Sequence, residues 1–507
     1  MRQVLCTSAA IVALCLAACG TSGTKSADDP TNTDDGNSTK TTTHVATSST
    51  DSFVQLQRVE GKKFVEILEV KALDDGRVLY CSGVKGLVVL DATKPGAARQ
   101  LHRLKSKLSH QRFPRCQHLA VEGKHVYVTN RGDEVQTTPF VAAFDLSGDS
   151  PKEVATFSSK KLSIEGVATS GKHVFVAAHD KGIVILEHLG SSLKQIATLD
   201  GFTNAWDIVV NGSTLYVADG KAGLVTVDVA TPSKPRIVGR AKYEGNSQSL
   251  TFDAKTNTAW VAAGSEGVIA VDVADPATPK VVGSYDSPGS ALQVAVANGH
   301  AFVADWNDVR VLDIKDRTKP RVVASERIKT GGSYPRVLGV SANKNYAYVG
   351  EWTGLYAYKF NPAVLGPDLW LETGRLDFGK IAKGATSDNA VIIENHGTKK
   401  LNVRSIEVTG SSAYTITQKQ ASLEPGAAAL IKVTFAPVSG DEARATLVFH
   451  SDDPDEPKRQ VVLSANKEGK GVGQQSPEVL GKLLRGGDFK LSSLRGKVVV
   501  LAYFSTF

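Results

Sequence analysis

The sequence predicts an all-β chain built mainly from a seven-bladed β-propeller. Three observations carry that reading. A motif of two short strands about a Gly-containing turn, closed by an acid and then proline, recurs along the chain. The recurrence has the length of a propeller blade and contains only short strands. The composition is that of a soluble globular chain, 41% apolar and 22% charged, with 46 glycines, one methionine and few long amphipathic runs, which favours strands over helices.

The clearest copy runs from Leu215 to Asp228, with Pro232 and Pro235 after it. It recurs as Trp260 to Asp272, then Pro276 and Pro279, and as Phe302 to Asp313, then Pro320. The acids that close these strands are Asp91, Asp145, Glu187, Asp228, Asp272 and Asp313, spaced 54, 42, 41, 44 and 41 residues apart; a degenerate seventh copy ends at Tyr358, 45 further on. Within one copy the strands read as A (206–210), B (214–218), C (224–229) and D (236–240). The first A strand is placed at 64–70. The seventh copy has an A strand at 336–341, then B and C, but reaches Asn361-Pro362 with no D strand. An orphan strand, 53–58, precedes the first A strand and is expected to pair with the last copy and close the ring, leaving no free sheet edge there. The strand-closing sequences Val-Thr-Val-Asp228, Ile-Ala-Val-Asp272 and Val-Val-Leu-Asp91 resemble the LVIVD repeat family over roughly residues 53–360. That resemblance implies the propeller fold (53–362) and says little about function.

The N-terminus is a targeting segment rather than part of the fold. Arg2 precedes an apolar run, 4–18, too short to span a bilayer permanently, and the run ends Leu16-Ala17-Ala18-Cys19-Gly20. This resembles the lipobox of bacterial lipoproteins, with 1–18 as signal peptide and Cys19 as the lipidated residue; an ordinary signal peptide with a chance cysteine is the plainer alternative. The expected location is the bacterial cell envelope, lipid-anchored at the outer membrane or cell surface. Residues 19–52, rich in Ser, Thr, Asp and Gly, cannot bury enough surface to order and read as a tether. Cys81 and Cys116 then remain in the body, either as one disulfide or as two separately buried thiols.

In a propeller whose strands run antiparallel, the B–C turns and D–A connections emerge on one face. That face is expected to carry Arg131, His179, Trp306 and Trp352 from B–C turns, with Trp206, Asn246, Tyr334 and Arg336 from D–A connections. Converging arginines and aromatics are the usual content of a recognition surface; solvated loops and aromatics packed between blades are the alternative. The first D–A connection, 102–115, is long and basic, ending in Arg112 and Arg115, which suggests an anionic partner such as a polysaccharide or an acidic protein surface. Asp219, Asp305 and Glu351 occupy equivalent turn positions and are weak metal candidates, since a turn acid more often bonds its own backbone. No metal or other cofactor is expected, and the net charge of +7 over 507 residues does not argue for nucleic acid. A monomer is expected.

Beyond the ring, the segments Leu376 to Gly379, Val391 to Gly397, Ile431 to Pro437, Ala445 to His450 and Val461 to Ser464 alternate apolar and polar residues between turn signals. Residues 367–467 resemble the Hydin-type and major-sperm-protein-like immunoglobulin-like β-sandwiches, which implies a spacer or protein-contact role. His396 and His450 there read as isolated core or surface histidines. After a hinge, 468–475, the run Phe489-Lys-Leu-Ser-Ser-Leu-Arg-Gly-Lys497 and the apolar strand to Phe507 resemble the opening of a thioredoxin-like fold of the redoxin or peroxiredoxin type. The family's catalytic cysteine would follow that strand, and the sequence stops first, so 476–507 reads as a C-terminal fragment of an α/β thioredoxin-like domain in a truncated or incomplete chain. The leading expectation is therefore an exported, lipid-anchored binding or scaffolding protein with no catalytic residues of its own. The alternative is the N-terminal part of a thiol-disulfide oxidoreductase or peroxidase. A propeller hydrolase has no support, because no G-x-S-x-G occurs.

Overall fold

The computed structural model describes residues 53–59, 65–110, 114–132, 138–328, 336–362, 366–454, 456–466, 480–482 and 488–490. The signal segment with Cys19, the tether, Arg112, Tyr334 and nearly all of the C-terminal fragment lie outside them. Among the described residues there is no α-helix, and the one helical element is a 3₁₀ turn at Pro95–Ala97.

Between Phe53 and Phe360 the chain forms seven four-stranded antiparallel sheets. In the fourth sheet, Asp207–Asn211, Thr214–Ala218, Leu224–Asp228 and Arg236–Ala241 pair in chain order as A, B, C and D. The middle strands B and C are buried on both faces, hence their continuous Val, Leu, Ile and Ala content. The D strands of the third to fifth sheets are largely exposed or half-buried, whereas that of the sixth buries Val322, Val323 and Ala324. Each C–D pairing of the first six sheets carries a β-bulge shortly before the strand-closing acid, as between Thr226 and Val227 or Val311 and Leu312. A bulge at this point adds twist and turns the outer strand. The acid itself then caps the next turn: Asp228 accepts from Ala230 N and pairs with Arg236, and Asp272 accepts from Ala274 N and pairs with Arg317.

The last sheet is completed by Phe53–Arg58, which pairs antiparallel with Gly354–Phe360 and so places the start of the described chain beside the end of the repeats. Phe53 stacks on Tyr358 at 4.7 Å, and Gln57 exchanges two hydrogen bonds with the backbone of Ala98 in the first sheet. Seven separate apolar clusters fill the spaces between successive sheets, including one between the seventh and the first. The first A strand begins at Ile67, later than the sequence pattern places it, because Glu66 adopts φ 52° and breaks the extended backbone. Cys81 of the first sheet and Cys116, just before the second, are joined by a disulfide with Cα atoms 4.7 Å apart, so the two are not separate thiols. It closes a loop of 35 residues, which in the chain-entropy account corresponds to about 4 kcal/mol.

Residues 369–465 form two facing sheets. One holds Leu369–Leu371, Ser387–Asn395, Ala428–Phe435 and Tyr414–Ile416. The other holds Arg375–Asp377, Lys458–Ala465, Ala443–Ser451, Leu401–Gly410 and Ala421–Leu423. Alternate residues such as Val391 and Ile393, Ile431 and Val433, and Leu447 and Phe449 point into a shared core. Leu480–Lys482 and Asp488–Lys490 pair as a short hairpin.

Candidate binding face

From the third sheet to the seventh, the B–C turn of one sheet is bridged to the start of the next A strand. His179 bridges Ala205, Gly220 bridges Ser247, Gly264 bridges Ala291, and Trp306 bridges Val337. At the seam, Val65 and Glu66 donate their N–H groups to Trp352 O. Two Arg–Trp clusters result. In one, the Arg131 guanidinium lies 5.9 Å from the centre of Trp206, and His179 meets Trp206 edge-on at 4.8 Å. In the other, the Arg336 guanidinium lies 4.9 Å over Trp352 and 5.8 Å from Trp306. Between the clusters, the fourth and fifth sheets place Gly220 and Gly264 at the equivalent position, flanked by Asn204, Asn246 and Gln248, and the same turns carry exposed Lys221, Ser265 and Glu266.

The face rests on a charged layer that the sequence pattern did not reveal. Glu165 is buried and pairs with Arg131 Nε at 2.6 Å, His179 Nε2 at 3.2 Å and His118 Nε2 at 3.8 Å. His118 Nδ1 lies 3.1 Å from Glu69 Oε2, the oxygen that also accepts from Leu119 N. Burial alone would lower the His118 pKa, but the hydrogen bond and charge of Glu69, with Asp207 and Glu165 beyond, raise it to about 9, so the imidazole is charged at neutrality. Asp207 is pushed up by burial; its two oxygens accept from Ile208 N and from Leu250 N of the next sheet. Gln293 makes the same kind of link to Val340 N. These acids and amides start inner strands and tie each to its neighbour. Glu66, only 3% exposed, is raised by burial against the opposing charges of Arg115 and Arg131, and its carboxylate has no hydrogen bond among the described residues.

The three metal candidates do not converge. Asp219 accepts from Thr203 N and Asn204 N, Asp305 from Ser287 Oγ and Arg310 Nε, and Glu351 from Thr353 N and Oγ1. Each is the equivalent buried residue of its own sheet; Asp219 and Asp305 hold the connection leading into that sheet and Glu351 its own turn, and no group of three or more ligands suited to a metal ion exists among the described residues.

The basic connection is partly turned onto the protein itself. Arg103 donates to the carbonyls of Val84 and Lys85, and Lys107 lies 3.6 Å from Glu153. Lys105, Ser106, Lys107, Ser109, His110 and Glu153 line a surface pocket beside the outer strands of the first two sheets. Arg115 does reach the face, beside Glu66.

These features define an all-β protein of propeller-type repeats joined to an immunoglobulin-like module. LVIVD repeats are found at residues 163–187, 203–242, 251–287 and 288–326, and a HYDIN/CFA65/VesB-like Ig-like domain at residues 367–466. Among solved structures, the chain is similar to U3-55K, at 10% identity over 61% of this chain and 98% of that one, with a TM-score of 0.49. It is similar to the WD40 repeats of RRP9, at 10% identity, 61% and 98% coverage, and a TM-score of 0.48. It is also similar to the β-propeller domain of Cps50 (Swd1) from Myceliophteria thermophila, at 13% identity, 59% and 98% coverage, and a TM-score of 0.47. No curated protein matches the chain.

Proposed function

We propose that this protein is an exported, lipid-anchored binding or scaffolding protein. Its seven sheets are the blades of one closed ring, and the partner docks on the face bearing Arg131, Trp206, Trp306, Arg336 and Trp352. The observation that carries the reading is the paired stacking of Arg131 on Trp206 and of Arg336 on Trp306 and Trp352, on the same face. A guanidinium already held against an indole has little freedom left to lose when it meets a partner, which is how such pairs act as anchors. Cys19 supplies the anchor, and the sandwich spaces or orients the ring. The second reading, the front part of a thiol-disulfide oxidoreductase or peroxidase, rests on residues 476–507.

One experiment with the full chain tests both anchor and face. Cys19→Ser is expected to move the protein from the membrane to the soluble fraction; continued membrane retention would remove the anchor. The double variant Arg336→Ala, Asn246→Ala breaks no ion pair among the described residues. It is expected to keep the wild-type melting temperature and fail to retain the envelope component that wild type retains on beads. Equal retention would remove the face.

A further inference from the structure

Four successive sheets hold one equivalent residue of the B–C turn in left-handed backbone: His179 at φ 50°, Gly220 at 51°, Gly264 at 66° and Trp306 at 55°. Glycine meets that requirement without strain, as the two middle sheets show, whereas a bulky side chain at positive φ costs free energy that something must offset. His179 offsets it through Asn204 and Glu165. Trp306 does not. It is 37% exposed, makes no side-chain hydrogen bond among the described residues, and its ring meets only the Arg336 guanidinium there. Arg336 in turn faces no carboxylate among the described residues. The acid beside it, Glu351, spends its oxygens on Thr353 and on Arg336's own backbone N–H. On the same face, the Asn246 and Gln248 amides line the glycine turns of the fourth and fifth sheets and make no side-chain hydrogen bond among the described residues.

We propose that this arc binds a carboxylated sugar, a uronic acid unit of an acidic polysaccharide; the inference rests on the face being the binding surface. The exposed indole of Trp306 takes the C–H face of the sugar ring. Arg336, between two indoles, takes the carboxylate through two parallel N–H bonds. Asn246 and Gln248, over the glycine floor, take hydroxyls as donors and acceptors. An acidic protein surface would use the arginine but has no call on an amide-lined, glycine-floored track.

The test uses the full chain, oligogalacturonate and its methyl ester, with indole fluorescence and calorimetry. The acid is expected to bind at least about ten-fold more tightly than the ester, the scale of one charge-assisted bidentate contact. Arg336→Gln should bring the acid down to the affinity of the ester and leave the ester unchanged. Trp306→Gly should abolish binding of both. Equal affinity for acid and ester overturns the proposal. If neither sugar binds while the Arg336→Ala, Asn246→Ala variant still loses its envelope partner, the face stands and the sugar falls. If that variant also keeps its partner, both fall.

Discussion

His118 shows how a single residue can be set by the ring rather than by its own strand. Its imidazole lies between Glu69 and Glu165, with Asp207 beyond, and its pKa is raised to about 9. The unfolded chain titrates a histidine near 6.5, so the stabilisation from charged His118 is complete below about pH 6.5 and is lost as pH rises through about 9. The contribution is at most about 3 kcal/mol, from about 1.4 kcal/mol per unit. His118→Gln should lower the melting temperature at pH 6.5 and flatten its decline between pH 6.5 and 9. A variant that declines as steeply as wild type would show that the charge is not held there. None of this was legible in the sequence. Glu69 and Asp207 each sit at an alternating position of a short A strand, where an acid ordinarily faces water. Only the approach of neighbouring inner strands turns that position inward. The Arg and Trp positions were legible because they stand at turns, whose side of the ring follows from strand parity alone.

At the scale of elements, the strand that matters most is Phe53–Arg58, because it makes the seventh sheet equal to the other six. Its legibility came from counting: the seventh copy lacked a D strand and one unassigned strand stood upstream. The strand buries Phe53 against Tyr358, Phe302 and Phe360, and Gln57 against Ala98, and it covers the outer edge of Gly354–Phe360. Removing residues 53–59 would expose that edge and the cluster shared by the sixth and seventh sheets. Burial of one large aromatic alone contributes about 3 kcal/mol, so a fall in melting temperature of roughly 5 °C is expected for a body of this size. A truncated protein that melts with wild type would mean the ring does not depend on this closure. Strand limits were less legible than strand order. The B strand of the fourth sheet is found at Thr214–Ala218, as the pattern placed it, but its A strand starts at Asp207 rather than Trp206.

At the scale of the whole molecule, the ring and the sandwich are locked rather than strung together. Arg310, in strand C of the sixth sheet, is 1% exposed; Nε meets Asp305 at 2.7 Å and Nη2 meets Asp308 at 3.1 Å. Its guanidinium lies 4.9 Å over Trp370, in the first strand of the sandwich, and Trp370 stacks in turn on His396 at 5.0 Å. The imidazole of His396 is wholly buried, and burial together with the charge of Arg310, against the opposing hydrogen bond from Glu394, lowers its pKa to about 4. It is therefore neutral at pH 7, with Nε2–H donating to Glu394 and Nδ1 accepting from Ser325 Oγ of the ring, 71 positions upstream. That separation is why His396 read as an isolated histidine: its partner belongs to the other module. Trp370→Ala removes both stacks at once and leaves Arg310 still paired with its two acids, so the ring should survive. Loss of a buried tryptophan costs about 3–5 kcal/mol, here charged mainly to the joint. The expected outcome is a single thermal transition split into two, with a larger radius of gyration by small-angle scattering and new proteolytic cleavage near residues 363–365. One unsplit transition with unchanged dimensions would show that the modules do not depend on this stack and that other contacts hold the joint.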